Sequence, residues 1–184
     1  MTLLKNSIAL RQLCRSMRGL TAVEVLIVLT IVAVLAATAI PNLASMLERY
    51  RASGAADDLQ HTLMSTRAQA IAAGNRAVVA PLMDNEWVNG WRIFLDPNNN
   101  GTLDAGERVI QIFEARNPEL SITPSTRLFE GGESRISFTQ FGFPRALNGT
   151  TFADGSFVVT VGATSRTVCL DVQGHSRVIE SGGC

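Results

Sequence analysis

Histidine, cysteine and tyrosine are scarce in this sequence, which has two, three and one of them respectively, and that scarcity narrows its chemistry. His61 lies in a helical pattern and His175 in a terminal turn. No HExxH pair, Ser-His-Asp order, Walker loop or GxGxxG turn can be assembled around them. Both histidines read as surface residues, and the chain reads as a non-enzyme. Trp87 and Trp91 flank "VNG" and read as packing around a hairpin rather than as a ligand platform. Internal repeats and low-complexity stretches are also missing. Acid is missing from one place in particular: residues 1–19 contain Lys5, Arg11, Arg15 and Arg18 but no Asp or Glu. The formal charge of +0 over 184 residues therefore conceals a basic start and a remainder with 12 basic and 16 acidic residues, net −4. A mildly acidic body excludes a nucleic-acid binder that relies on bulk charge.

What is present is an apolar run. Val25 to Ile40 is 16 residues without a charge, and with Leu20–Glu24 it reaches roughly the minimum spanning length of a membrane helix. A cleaved secretory signal would have a shorter run and a small-x-small site at its far end. Here "ATAIPNL" leads straight into a helical pattern. The four positive charges before the run belong in the cytoplasm, which gives a single-pass protein with its C-terminal body outside. Glu24 is the anomaly, because a carboxylate inside a bilayer is costly and marks function. One reading is an interfacial acid at the membrane edge. The other is a cut after Gly19 that frees an amine at Leu20, with that amine and Glu24 pairing between neighbouring subunits so that each relieves the other's desolvation.

"RG" followed by "LTAVE" and an apolar helix resembles the class III signal of type IV pilins and pseudopilins. The resemblance implies that a prepilin peptidase cuts between Gly19 and Leu20 and N-methylates Leu20. Glu24 is then the acid at the fifth position of the processed chain, and Pro41 falls where many pilins have a helix-bending proline. Leu20 stands where Phe is usual. The implied partners are other minor and major pilins or pseudopilins, the prepilin peptidase and an inner-membrane assembly platform. The implied location is the bacterial inner membrane, with a periplasmic body, and then the filament.

After Pro41 the pattern turns amphipathic. Ala52, Ala56, Leu59, Leu63, Ala70 and Ala73 recur at helical spacing, with Asp57, Asp58, Arg67 and Gln69 elsewhere. Gly54 lies inside this stretch, and Gly74-Asn75 is its stop signal. Four segments result: a leader over 1–19, a membrane and filament-core helix over 20–41, an amphipathic helix over 42–74 and a β-rich domain over 75–184. Strands are expected at 76–83, 90–95, 108–113, 135–140, 156–162, 166–172 and 176–180, separated by Asn85, Gly131-Gly132, Asn148-Gly149, Asp154-Gly155 and Gln173-Gly174. The fold class is α+β, a long N-terminal helix packed on antiparallel sheet. "NGWRIFLDPNNNGTLDAGERVI" and "VCLDVQGHSRV" resemble the GspH/FimT branch of minor pilins and pseudopilins.

That resemblance implies a structural subunit: a minor type IV pilin that helps prime or cap pilus assembly by lateral helix packing, with the Glu24–amine contact setting axial register. Pro41 in "AIPNL" favours the pilus over the alternative, a minor pseudopilin of a type II secretion system. A second alternative is a DNA-binding minor pilin for competence. Members of that kind share a Gly-Arg-x-Arg motif, and the matching stretch here is Gly174-His175-Ser176-Arg177, which leaves Arg177 as its one permanent charge. A one-pass anchor for an unrelated periplasmic domain would leave Gly19 and Glu24 without explanation.

Removal of the leader takes Cys14 with it and leaves Cys169 and Cys184 in an exported body. Two cysteines in an oxidising compartment suggest a disulfide, closing a loop of about 15 residues worth roughly 3 kcal/mol. Two free thiols are the alternative. "DPNNNGTLDAGE" places Asp96, Asn98, Asn100, Gly101, Asp104 and Glu107 on a calcium-loop template, with Thr102 offering a backbone carbonyl. Strands flank it where that template needs helices, so the other reading is a metal-free hairpin turn capped by Asp and Asn side chains. No other cofactor is implied.

Overall fold

The computed structural model describes residues 19–83, 86–114, 119–125, 134–146, 153–180 and 182–184. The leader, the side chain of Pro41, and the turn signals Asn85, Gly131-Gly132 and Asn148-Gly149 lie outside the described residues. The chain divides into two compact units, Met1–Pro41 and Asn42–Cys184. One helix, α1, is assigned over Ala22–Ala73.

In the first unit the helix begins at Thr21, whose hydroxyl oxygen accepts the Glu24 N–H at 3.2 Å. Thr-x-x-Glu is the capping-box sequence, and this bond satisfies one of the orphan donors of the first turn. Thr30 and Thr38 donate their hydroxyls to the carbonyls of Leu26 and Leu35 at 2.8 and 2.9 Å. That back-bonding gives each hydroxyl proton an acceptor within the helix, as an apolar medium demands. None of the apolar stretch is buried.

In the second unit α1 buries Ala52, Ala56, Leu59, Leu63 and Ala70, a stripe at spacings of three, four and seven residues that keeps to one face. Thr62 and Thr66 share the buried side, their hydroxyls turned back to the carbonyls of Asp58 and Thr62. The helix stops at Gly74, which takes φ +61°. Asn75 N–H reaches the Ala70 carbonyl and Gly74 N–H that of Ile71, the paired bonds of a Schellman end, where glycine avoids the left-handed penalty.

Nine strands follow among the described residues: β1 (Arg76–Met83), β2 (Glu86–Asp96), β3 (Val109–Glu114), β4 (Leu120–Pro124), β5 (Ile136–Phe138), β6 (Pro144–Arg145), β7 (Gly155–Val161), β8 (Thr164–Leu170) and β9 (Ser176–Ile179). They form two antiparallel sheets, ordered β3-β2-β1-β5-β6 and β4-β7-β8-β9. The architecture is the α+β class read from the sequence, with two sheets where the strand pattern alone does not separate them. The core joins the α1 stripe to Val79, Trp87 and Ile93 of the first sheet and Phe157, Val159 and Leu170 of the second. Strands β4 and β6 are not legible in the sequence. Within β4 only Ile122 is buried and Pro124 ends it, an edge-strand character with no period-2 signal, and β6 is two residues long. Strand β8 begins two residues earlier than expected because Gly162-Ala163 alone connect it to β7.

Among the described residues, side-chain bonds fasten α1 to the second sheet and to the β5–β6 turn of the first. Glu48 Oε2 accepts the Ala163 N–H at 3.2 Å, Ser53 Oγ accepts Arg166 Nε at 3.2 Å, Gln60 donates to the Ser176 carbonyl at 2.9 Å and Arg67 donates to the Gly142 carbonyl at 3.0 Å. Gly162 makes the first of these possible. It takes φ +55°, and a Cβ there would lie 2.5 Å from the Glu48 carboxyl carbon, so any side chain would collide with the acid that grips the turn.

Candidate functional site

Three regions hold the residues singled out by sequence: the start of α1, the β2–β3 loop and the C-terminal segment. At the start of α1, Leu20 and Glu24 are exposed in the single chain. The backbone of Glu24 is held by Thr21, a role that the charge pattern does not announce although Thr-x-x-Glu is visible in the sequence. α1 runs through Pro41.

The β2–β3 loop, residues 97–108, folds back onto the outer face of the first sheet, where Leu103 covers Val78, Ala80 and Phe94. Asp96, at the end of β2, is fully buried. Its two oxygens accept the backbone N–H groups of Asn100 at 3.1 Å and Gly101 at 2.8 Å. Opposite it across the β1–β2 ladder stands Arg76, 3.9 Å away and nearly as buried. The guanidinium also donates to the Asn99 carbonyl (2.9 Å), Ser137 Oγ (2.7 Å) and the Ala146 carbonyl (3.3 Å). Burial pulls the Arg76 pKa below its ordinary value, and the charge of Asp96 opposes that pull. Nothing in the local sequence marks Arg76. Its importance follows from the hairpin register that sets it opposite Asp96.

The rest of the loop closes on itself. Asn98 and Asn100 both turn their amide N–H groups to Asp104 Oδ2, at 2.8 and 2.6 Å. Their oxygens accept backbone N–H groups of Asn100 and Thr102. Glu107 Oε2 accepts the Asp104 N–H at 3.0 Å, and Arg135 donates to the Gly101 carbonyl at 2.7 Å. Asp96 thus faces the sheet and Asp104 is exposed, while Glu107 is half-buried with its Oε1 enclosed. Among the described residues, no three His, Cys, Asp or Glu side chains gather closely enough to hold a metal ion.

At the C-terminal end Cys169 and Cys184 are bonded, with Cα atoms 5.6 Å apart. The bond ties the segment after β9 to β8. A Cys184→Ser variant is expected to lose about 3 kcal/mol of stability, the loop-closure estimate for 15 residues, measured by denaturant unfolding against the oxidised parent. The "GHS" turn is internally committed. Asp171 accepts the N–H groups of Gln173 and His175, both at 2.9 Å, and faces the His175 ring at 3.3 Å. Desolvation is the largest single influence on Asp171 and raises its pKa, but the bonds from His175 and Gln173 together outweigh it and hold the carboxyl below its usual range. Arg177 lies exposed on β9, opposite Cys169 in the ladder.

The family described as "Type II transport protein GspH" matches residues 55–174, well over half of the chain. The type IV minor pilin FimU of Pseudomonas aeruginosa (strain PAO1) is similar in structure with a TM-score of 0.55 at 19% identity, over 76% of this chain and 96% of that one. The minor pseudopilin EpsH of the Vibrio cholerae type 2 secretion system matches with a TM-score of 0.49 at 14% identity, over 70% and 96%. Among curated proteins, none matches significantly. A helix long and apolar enough to cross a membrane precedes a β-rich body, and residues 55–174 of that body carry the family match: the chain belongs to the GspH family and is a minor pilin or pseudopilin, a membrane-anchored subunit that assembles with other pilins in a filament.

Proposed function

We propose that the chain is a minor type IV pilin that helps prime or cap pilus assembly. It is a structural subunit without catalytic activity, inserted in the inner membrane with its body in the periplasm before it enters the filament. A prepilin peptidase cuts between Gly19 and Leu20 and methylates Leu20, and the subunit then leaves the membrane through an assembly platform. The observation that carries the reading is the capped, wholly unburied apolar helix with an acid in its first turn. Exposed apolar surface of that extent requires either lipid or other helices around it, and an acid beside a free amine supplies a register-setting pair. Pro41 favours a pilus over the second reading, a type II secretion pseudopilus. The intact mass of the purified mature protein tests processing directly. It is expected to begin at N-methylated Leu20, and a mature protein beginning at Met1 would overturn the reading.

Residues 96–107, on this proposal, are a structural hairpin connection that needs no calcium. What supports it is the direction of the amide donors. Asn98 and Asn100 present N–H groups to Asp104 where a cation would need oxygens, and Asp96 is engaged with backbone N–H groups and Arg76. The melting midpoint of the full-length chain in detergent is expected to be the same with millimolar calcium and with chelator. A site that binds only the folded state raises the midpoint, so a rise with calcium would assign the loop a metal.

A further inference from the structure

A small pocket of about 230 Å³ lies between the last turns of α1 and the β8–β9 turn, all within the second unit. Met64, Ala68 and Ile71 give it an apolar wall, Arg67 and His175 are its basic side chains, and among the described residues no acid lines it. Arg67 is held from two sides. Its Nε donates to the Gly142 carbonyl at 3.0 Å, and Gly174 packs against the same side chain. These glycines take φ +80° and +81°, and a Cβ on them would lie 2.9 and 3.1 Å from Arg67 Nε, so the two turns form a slot fitted to the arginine. That slot engages only one of its nitrogens. Among the described residues, the two terminal nitrogens of Arg67 have no hydrogen-bond partner and the guanidinium has no ion pair. His175 differs, because Asp171 faces its ring at 3.3 Å. Phe141, next to Gly142 in the turn that Arg67 holds, is exposed and adds apolar surface.

We infer that this pocket takes a carboxylate presented on an apolar segment of a neighbouring filament subunit. The inference rests on the filament-subunit reading and adds to it the chemistry of a partner. A guanidinium fixed through Nε still offers its terminal N–H groups, which match the two oxygens of a carboxylate. The wall of Met64, Ala68 and Ile71 shields that pair from water on one side and so strengthens it. The volume is below the roughly 300–1,000 Å³ of sites for small-molecule ligands, and it suits one side chain. Nucleic acid and anionic lipid are disfavoured by number, because an array of phosphates calls for several cations. Arg177 cannot supply a further one here. Ser176 lines the pocket, and successive side chains of a strand point to opposite faces, so Arg177 projects away from it. A single carboxylate asks for one guanidinium, and Arg67 provides it.

The sequence has a single lysine, Lys5, which lies in the leader. Arg67→Lys therefore places the one side-chain amine of the processed chain at the pocket. The full-length variant is produced together with its companion subunits and treated with a water-soluble carbodiimide, which joins an amine to a carboxyl group in contact with it. Mass spectrometry of the joined peptides is expected to find position 67 linked to a carboxyl group of another subunit, with apolar residues beside it. Should Arg67→Lys fail to fold, the otherwise native chain with a photo-crosslinking benzoylphenylalanine in place of Met64 should capture the same kind of segment. Adding Arg67→Gln should then cut that yield about tenfold, as one charge-assisted pair is lost. Links only within the same chain, to a basic segment, to lipid, to nucleic acid or to nothing would overturn the proposal, as would a yield indifferent to Arg67→Gln. Sheared filaments separate this proposal from the one beneath it. If the unsubstituted chain is absent from them, the filament reading itself fails. If it is present while the crosslink result is negative, only the pocket assignment fails.

Discussion

Asp96→Ala is expected to destabilise the body by about 3–5 kcal/mol, the usual cost of removing one partner from a buried ion pair. The substitution strands the Arg76 guanidinium without its counter-charge and leaves the N–H groups of Asn100 and Gly101 without acceptors, and water does not replace them at a position with no exposed surface. The loss should spread beyond the pair. Arg76 also holds the Asn99 carbonyl, Ser137 and the Ala146 carbonyl, and the loop it organises lays Leu103 over the outer sheet face. In a melt of the full-length chain this is a fall of roughly 10 °C, at about 2–4 °C per kcal/mol for a chain of this size. Asp104→Ala is the contrast, because its carboxylate is exposed and its donors can turn to water. It should cost about 0.5–1.5 kcal/mol. Equal losses from the two variants would show that Asp96 is not the anchor.

Gly19→Val and Glu24→Ala should both remove the protein from filaments, by different routes. Gly19→Val is expected to block the cut, so that the precursor keeps its leader and none is found in sheared filaments. Glu24→Ala should be cut and inserted normally, then fail at assembly, with at least a roughly tenfold drop in the filament fraction as the neighbour's amine loses its partner. The Thr21 cap is made to the Glu24 backbone N–H, so it survives a change of side chain there, and Glu24→Gln isolates the charge at nearly constant shape. If the charge matters, Glu24→Gln will assemble as poorly as the alanine variant. Normal assembly of the glutamine variant would show that the charge of Glu24 is not required.

How much of this is legible in the sequence depends on whether the signal is local. The α1 stripe, its stop at Gly74-Asn75 and the alternating strands are set by neighbours within a few residues, and they read directly from the sequence. Strand β4 is hidden because its partner β7 lies far along the chain, and "LSITP" carries one buried residue. The loop shows the limit from the other side. Its residue types and spacing match a calcium template, yet what orients Asp96 is Arg76, an earlier residue that stands opposite only once the β1–β2 register is known. The stacking of Trp91 on Phe113 is hidden for the same reason, because only the β2–β3 ladder places them side by side.

The bonds of Glu48, Ser53, Gln60 and Arg67 have a mechanical consequence for a subunit that carries tension. They are distributed along about five turns of α1, so a pull along the helix axis loads them side by side rather than one after another. Each holds a different turn or strand end, and the buried alanine and leucine stripe between them resists sliding because its side chains interlock with the sheets. Rupture then requires several attachments to fail together, and the lifetime of the body under load is governed by that barrier and not by its equilibrium stability.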